Sequence, residues 1–563
     1  MYAGRDFAKK ETLQQTGDVV IPIVDIMMHQ RGRGMFEFLW DEYTWNGKSL
    51  GLGHEVHHEC SAASPGFGAA VNCFLDLVNV DEGDPKNTVP SGLHRSKDPG
   101  VGAFSTYHDR QATAKVKIKA GQELFANYGQ HWFELRPELG PIPLRHGLME
   151  STDFYRRFQV LRGRHQLVNR EVFEELWDEF VQHCVWKESR ILGAFSNTVS
   201  ERALLEKNMT LKKIRVMESM QTTGWLHEHG TCADHIREGV STIKQAGRGA
   251  FATRDLPKGT VVSALPLIPI INKSVLEMYD LEDINTKRLG DRRRVGYQLL
   301  MNYCYGHQNS TMLLCPYSPL ANMVNHNQTR ANVKLVWGDP ERGEHEPNLL
   351  TKTINSFADA STSKLAMELV AIQDIEKDEE IFLDYGDAWE RAWQEHVEGW
   401  NIVGAEDYVS AFMLNQEEST TFVRTDFEQL HNPYPDNIKV ECDSNIWKRI
   451  NQTLFNTAHV VRITRPNSYE FWPCDVLRRR DVNGTTLYTV SLDRPPKEKE
   501  KNDIMRGEKS ISKRIKLSDI PRMAIRFSDR PYTTDMFLEE AFRHYIVIPD
   551  SMFPSAWMNS SPV

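Results

Sequence analysis

The feature that most constrains this 563-residue chain is a repeat with a period near 250 residues. Val71-Asn72 with Asn79-Val80, and Val324-Asn325 with Asn332-Val333, both fit V-N-x6-N-V. Farther along, Ile118 to Gly129 and Ile375 to Gly386 both fit I-x4-E-[LI]-F-x2-Y-G, aligning Glu123, Phe125 and Tyr128 with Glu380, Phe382 and Tyr385. The two patterns recur in the same order at offsets of 253 and 257. Upstream, Ala3-Gly4-Arg5-Asp6-Phe7-Ala8 parallels Ala246-Gly247-Arg248-Gly249-Ala250-Phe251-Ala252, one residue longer. Solenoid units run to only ~20–50 residues, so this period means a duplicated domain whose offset drifts through loop insertions.

Each copy reads as β-rich. Thr260 to Ile271 and Asp18 to Ile26 are dense in Val, Ile and Leu and broken by Pro, as short strands and bends are. Between the copies, Val172, Phe173, Leu176, Trp177, Phe180 and Val181 follow a helical period behind the capping residue Asn169. Leu204 to Met220 predicts a second helix. From about Asn432 the character changes. His459–Thr464, Trp472–Leu477 and Leu487–Leu492 predict strands, with Asp481-Val482-Asn483-Gly484 as a hairpin turn. Arg494 to Lys516 reads as a charged loop, and the aromatics of Ala541 to Trp557 as the interior of a small barrel. The predicted boundaries are a first repeat copy at 1–135, a helical region at 136–224, a second copy at 225–400, a linker at 401–431 and a β-rich module at 432–563.

Composition excludes several functions. Lys+Arg number 67 against 77 Asp+Glu, a net charge of −10, which argues against direct nucleic-acid binding. No apolar run reaches the ~18 residues of a membrane span, and the first ten residues lack a signal-peptide core. The eight cysteines include no CxxC or CxC pair, so paired-cysteine zinc modules are absent. Reduced thiols in the nucleus or cytoplasm are the expectation. His54-Glu55-Val56-His57-His58 spells the HExxH zinc-peptidase pattern, but Gly51, Gly53 and Pro65 leave room for only a very short helix and no third ligand follows. No metal site is predicted.

Gly-Arg-Gly-Ala-Phe-Ala at 247–252, Asn325-His326 with Asn332, and Glu379-Glu380-Ile-Phe-Leu-Asp-Tyr385-Gly386 resemble, in order and spacing, the successive motifs of SET-domain protein lysine methyltransferases. The resemblance covers Trp225 to Trp393 well and Met1 to Trp132 less well. The middle motif departs from the usual Asn-His-Ser-Cys-x-Pro-Asn: Asn327-Gln-Thr-Arg-Ala follows Asn325-His326, one residue longer. The resemblance implies an α+β, mostly β chain with two SET-like folds in tandem, a helical joint and a C-terminal β module. It further implies S-adenosyl-L-methionine (AdoMet) as cofactor, held by Gly247, Arg248, Gly249, Asn325 and His326, and Tyr385 as the catalytic tyrosine. The implied partner is a protein lysine, on a histone tail or another protein. In the first copy Asp6 replaces a glycine and Cys73 stands where His326 stands, while Asn72 and Tyr128 remain; a structural partner is the expectation, and a second active site the alternative. The competing expectation is a scaffold that keeps the fold without turnover.

The implied chemistry suits these residue types. Methyl transfer to an amine needs the neutral amine, yet a lysine of pKa ~10.4 is only about 0.04% neutral at pH 7. An apolar channel and a neighbouring cation both disfavour the ammonium, and a tyrosine at the rim orients the nitrogen. With no zinc module to wall that channel, the segment of Trp389, Trp393 and Trp400 is the expected substitute.

Overall fold

Val261–Ile270 carries apolar side chains on both of its faces, and both faces are largely buried. In the computed structural model it lies inside an eight-stranded sheet. The structure describes residues 1–29, 42–52, 56, 59–88, 93–140, 142–164, 199–318, 320–342, 345–357, 364–416, 422–443, 471–482, 484–493 and 514–558, with scattered positions within 165–198. The sheet order is Asn325–His326, Phe382–Leu383, Val333–Trp337, Leu365–Ala371, Val261–Ile270, Leu313–Pro316, Tyr305–Gly306 and Ile546–Val547. Val261–Ile270 pairs antiparallel with Leu365–Ala371 on one side and Leu313–Pro316 on the other. The two edges are parallel pairs: Asn325–His326 beside Phe382–Leu383, and Ile546–Val547 beside Tyr305–Gly306.

The N-terminal strands Ile21–Val24, Cys60–Ala63 and Thr44–Asn46 form a three-stranded antiparallel sheet. They do not close over a core of their own. Val20, Ile21, Ile23 and Ala62 belong to the same apolar cluster as Leu265, Leu313 and Leu369. Each such side chain contributes about 1.5–3 kcal/mol by burial, so the two halves stabilise one another. A smaller cluster around Phe7, Val80, Ile118 and Leu124 covers the outer side.

Corresponding positions of the repeat make corresponding contacts. Asn332 donates its Nδ2 to Glu380 O at 2.9 Å and accepts from Phe382 N at 2.9 Å. Asn79 donates to Glu123 O and accepts from Phe125 N, both at 2.8 Å. The Tyr385 hydroxyl donates to Val324 O, and that of Tyr128 to Val71 O at 2.7 Å. Gly386 and Gly129 both take positive φ, 90° and 88°, ahead of a helix.

Several expectations need correction. The single helix at Leu204 to Met220 is two, Val199–Glu206 and Leu211–Glu218. Asn208 enters the left-handed region at φ 61° and Thr210 caps the second helix through Lys213 N, a side-chain alternative to continuing the first. Of the interrepeat periodicity, Trp177 is buried against Tyr155 and Phe158; Asn169, Phe173, Phe180 and Val181 lie outside the described residues. The C-terminal strands form a five-stranded antiparallel sheet, ordered Arg514–Pro521, Thr485–Asp493, Phe471–Val482, Ile438–Asp443, Ile525–Asp529. Val482 pairs with Thr485 across the predicted turn, of which Asn483 lies outside the described residues. Arg514–Lys516 is strand rather than loop, and His459–Thr464 lies outside the described residues.

The tail does not join that small sheet. Ile546, Phe553 and Trp557 pack into the large shared core, where Trp557 meets Trp337 and Phe357 edge-on. Nor are all thiols reduced: Cys304–Cys315 and Cys442–Cys474 are disulfides. Cys442 and Cys474 sit on neighbouring antiparallel strands, and Cys304 directly precedes the strand that pairs with that of Cys315, an adjacency that spacing along the chain does not reveal. Among the described residues no helix is long and apolar enough to cross a membrane.

Candidate active site

Gly247 follows a short helical turn, Lys244–Ala246, and takes φ 68°, a conformation costly for any residue with a Cβ. The chain then runs as the strand Arg248–Ala252, paired with Ile236–Val240. Gly249 is needed for space rather than for φ, because a Cβ there would meet the Glu380 carboxylate. Glu380 is buried and accepts from Ser241 Oγ at 2.7 Å, Thr242 N at 2.7 Å and Thr242 Oγ1 at 2.6 Å. Asn325 Nδ2 reaches the same carboxylate at 3.4 Å and donates to Arg248 O at 2.7 Å. One buried carboxylate thus locks the glycine turn to the Asn325–His326 strand.

His326 is held from both ring nitrogens. Its Nδ1 accepts from Tyr385 N at 2.9 Å, which assigns the proton to Nε2, and Nε2 donates to Glu390 Oε2 at 2.6 Å. Glu390 lies on the helix Asp387–Gly399, which begins directly after Tyr385-Gly386. The imidazole therefore ties the Asn325–His326 strand to the strand end that carries Tyr385.

Tyr385 stands in an aromatic wall. Its ring meets Trp389 edge-on at 5.0 Å, Trp389 stacks on Trp393 at 5.9 Å, and Phe542 meets both tryptophans at 5.3 and 5.2 Å. Burial pushes the Tyr385 phenol far above its ordinary range, and Tyr305 likewise. Tyr385 therefore stays protonated at neutral pH. Its proton points at Val324 O, which leaves the oxygen lone pairs to accept a bond from another group.

These groups line a cavity of about 400 Å³, within the ~300–1,000 Å³ of small-molecule sites. Arg248, Asn325, His326 and Tyr385 line it directly, and Gly247 and Gly249 shape the turn beneath. Trp389 and Trp393 also line it. Trp400 turns away and donates its Nε1 to Arg95 O at 3.0 Å. Sequence reasoning did not assign Glu380, Glu390, Tyr305, Phe542 or Ile546 to the site. Glu380 carried a signal, since it recurs as Glu123 in the repeat; Phe542 and Ile546 carried none. His54, Glu55, His57 and His58 lie outside the described residues.

The first copy differs at the same points. Tyr128 N donates to Cys73 Sγ at 3.5 Å, where Tyr385 N finds an imidazole. Burial pushes the Cys73 thiol up to about 11, so it stays a neutral, unreactive group at pH 7.

Residues 247–386 match the family model described as "SET domain". No curated protein matches the chain. Among solved structures, a candidate histone methyltransferase of Plasmodium falciparum aligns at 19% identity and TM-score 0.17, over 28% of this chain and 96% of that one. The polycomb repressive complex 2 of Chaetomium thermophilum aligns at 18% and 0.18, over 33% of this chain and 19% of that one. The ctPRC2 structure bound to S-adenosylmethionine aligns at 16% and 0.18, over 32% and 19%. This chain thus spans under a fifth of those two longer chains.

Proposed function

We propose that this protein is an AdoMet-dependent protein lysine N-methyltransferase, that its active site is the cavity at Tyr385, and that residues 1–135 are a diverged, non-catalytic copy of the same fold. The substrate is a lysine of a histone tail or of another protein. The observation that carries the reading is the Tyr385 hydroxyl, whose proton is committed to Val324 O inside an aromatic-walled cavity. Its free lone pairs are suited to accept an N–H of an incoming amine and so aim the nitrogen.

When bound, AdoMet supplies an electrophilic methyl on a sulfonium. The residues present fit such a ligand. Trp389, Trp393 and Phe542 offer π-faces to a cation, and Arg248, Asn325 and His326 line the side where polar groups are needed. The lysine must enter neutral. A bound sulfonium would disfavour an ammonium beside it. One buried guanidinium acts the same way: Arg543 follows the lining residue Phe542, whereas Arg248, which also lines the cavity, is paired with Glu238 at 3.2 Å. Burial brings Arg543 down to about 10, and its donors meet only backbone carbonyls of Tyr297, Gly102, Phe542 and Met536. No phenolate base is needed, which agrees with the raised Tyr385.

The repeat supports the duplicated reading through the matching Asn79 and Asn332 bonds. The test is binding followed by transfer. AdoMet at 100 times Kd should add about 2.7 kcal/mol of stability and raise the melting temperature. Tyr385→Phe should keep that shift and lower methyl transfer about 10²-fold, whereas Tyr128→Phe should do neither. An unshifted melting temperature, together with no transfer to histones or lysate proteins, refutes the proposal.

A further inference from the structure

One side of the cavity is not built by the SET domain at all. Gly100, Ala103 and Phe104 line it from the N-terminal half, facing Gln245, Ala246 and Arg248 of the glycine turn. The approach is close: a Cβ on Gly100 would run into the Gln245 carbonyl. Here the two repeat copies meet at the site itself.

The segment is held at every side. Arg248 donates to Ser105 O at 2.6 Å, while Ser105 N donates to the Tyr303 hydroxyl at 2.8 Å. Asn302 Nδ2 donates to Ala103 O at 2.7 Å and to Phe542 O at 2.9 Å, so one amide joins the segment to the C-terminal tail. Arg543 donates to Gly102 O at 2.7 Å. From the helix that follows Tyr385, His396 Nε2 donates to Pro99 O at 2.8 Å. Gly102 takes φ 77° against the Asp535 carbonyl, where no side chain fits. A segment this heavily anchored keeps one position, and Phe104 is thereby presented to the cavity as a fixed, half-buried ring.

We infer that the 99–105 segment of the N-terminal copy is the fixed wall of the AdoMet end of the pocket, with Phe104 as its ligand-facing side chain. The inference rests on the reading of the cavity as an AdoMet site. It assigns the degenerate copy a direct part in cofactor binding. That copy has lost the features of a site of its own at Cys73 and Asp6, and it supplies a surface to the other. A ring held by backbone bonds loses little freedom on binding, which favours affinity.

The test uses the full chain and calorimetric titration with AdoMet and with S-adenosylhomocysteine. Phe104→Ala should weaken both ligands about 10-fold or more and leave the ligand-free melting temperature nearly unchanged. Phe104→Leu, which keeps apolar bulk, should lie between the two, and it carries the test if the alanine variant fails to fold. Gly100→Val should weaken binding through the collision with Gln245. If the parent binds and Phe104→Ala and Phe104→Leu bind within about 2-fold of it, the wall is refuted and the AdoMet reading stands. A parent that binds neither ligand refutes the AdoMet reading and the wall with it.

Discussion

Replacing Asn332 by alanine tests how the site is held together. The side chain is 1% exposed and saturates two buried backbone groups, donating to Glu380 O and accepting from Phe382 N. Alanine leaves a carbonyl and an amide unpaired, each costing about 1–3 kcal/mol, so the loss should be about 2–6 kcal/mol. Glu380 also carries the bonds to Ser241, Thr242 and Asn325. Its displacement loosens the glycine turn, and methyl transfer should fall about 10²-fold, the scale of a 1 Å misplacement. Asn79→Ala removes the same pair of bonds in the first copy. It should cost similar local stability while leaving transfer within a few-fold. Native-state hydrogen exchange at the Phe382 and Phe125 amides reads the local cost in each copy, and steady-state kinetics reads the rest. A loss under about 1 kcal/mol at Phe382 would refute the double-satisfaction argument, given the usual penalty for orphaned buried groups. Equal kinetic damage from Asn79→Ala would refute the division of labour between the copies.

Two further outcomes follow from buried groups. His29 is buried, receives Tyr279 N on Nδ1 at 3.2 Å, and is lowered by burial, then by Arg292, from its ordinary 6.5 to about 4. A depressed histidine contributes stability that is present above pH 6.5 and lost as pH falls through 4; the gap is worth about 3 kcal/mol. His29→Asn should flatten the decline between pH 6.5 and 4 in urea titrations, and an unchanged profile contradicts the assignment. Gly249→Ala drives a Cβ into a carboxylate pinned by Ser241 and Thr242. It should abolish the AdoMet-induced rise in melting temperature at ligand concentrations that saturate the parent.

What was legible in the sequence was the set of side chains that bond to backbone. A chain crossing satisfied by Asn332 needs an asparagine at one position, bonded to backbone 48 and 50 residues on, so residue type and spacing survive as a pattern. The same holds for Tyr385 and for Gly247, whose φ of 68° admits little else. The cavity's walls are a different matter. Phe104, Phe542 and Ile546 need only be apolar and in place, and their places come from segments hundreds of residues apart. The disulfides were illegible for a related reason, since Cys304 and Cys315 become neighbours only through the pairing of Tyr305 with Leu314. The helix break at Asn208 turned on one left-handed residue inside a sound helical period.

The C-terminal tail supplies part of the cavity wall, and it does so at a distance. The chain leaves the SET region, forms the small five-stranded sheet, and returns so that Phe542 and Ile546 complete the cavity and Trp557 fills the core beneath. Trp557 is fully buried, donates its Nε1 to Lys352 O at 3.0 Å and meets Trp337, Phe357 and Phe553 edge-on. Trp557→Ala should therefore cost about 3–5 kcal/mol, and the loss should appear in the unfolding of the SET core rather than of the small sheet. Far from Tyr385 in sequence, it should also weaken AdoMet binding, because Ile546–Val547 is the sheet's edge strand and Val547 N donates to Tyr385 O at 3.1 Å. Truncation after Asp529 removes all of these contacts at once and should leave the large sheet unfolded. If that truncated chain instead melts at the parent's temperature and binds AdoMet, the tail is an accessory and the pocket closes by other means.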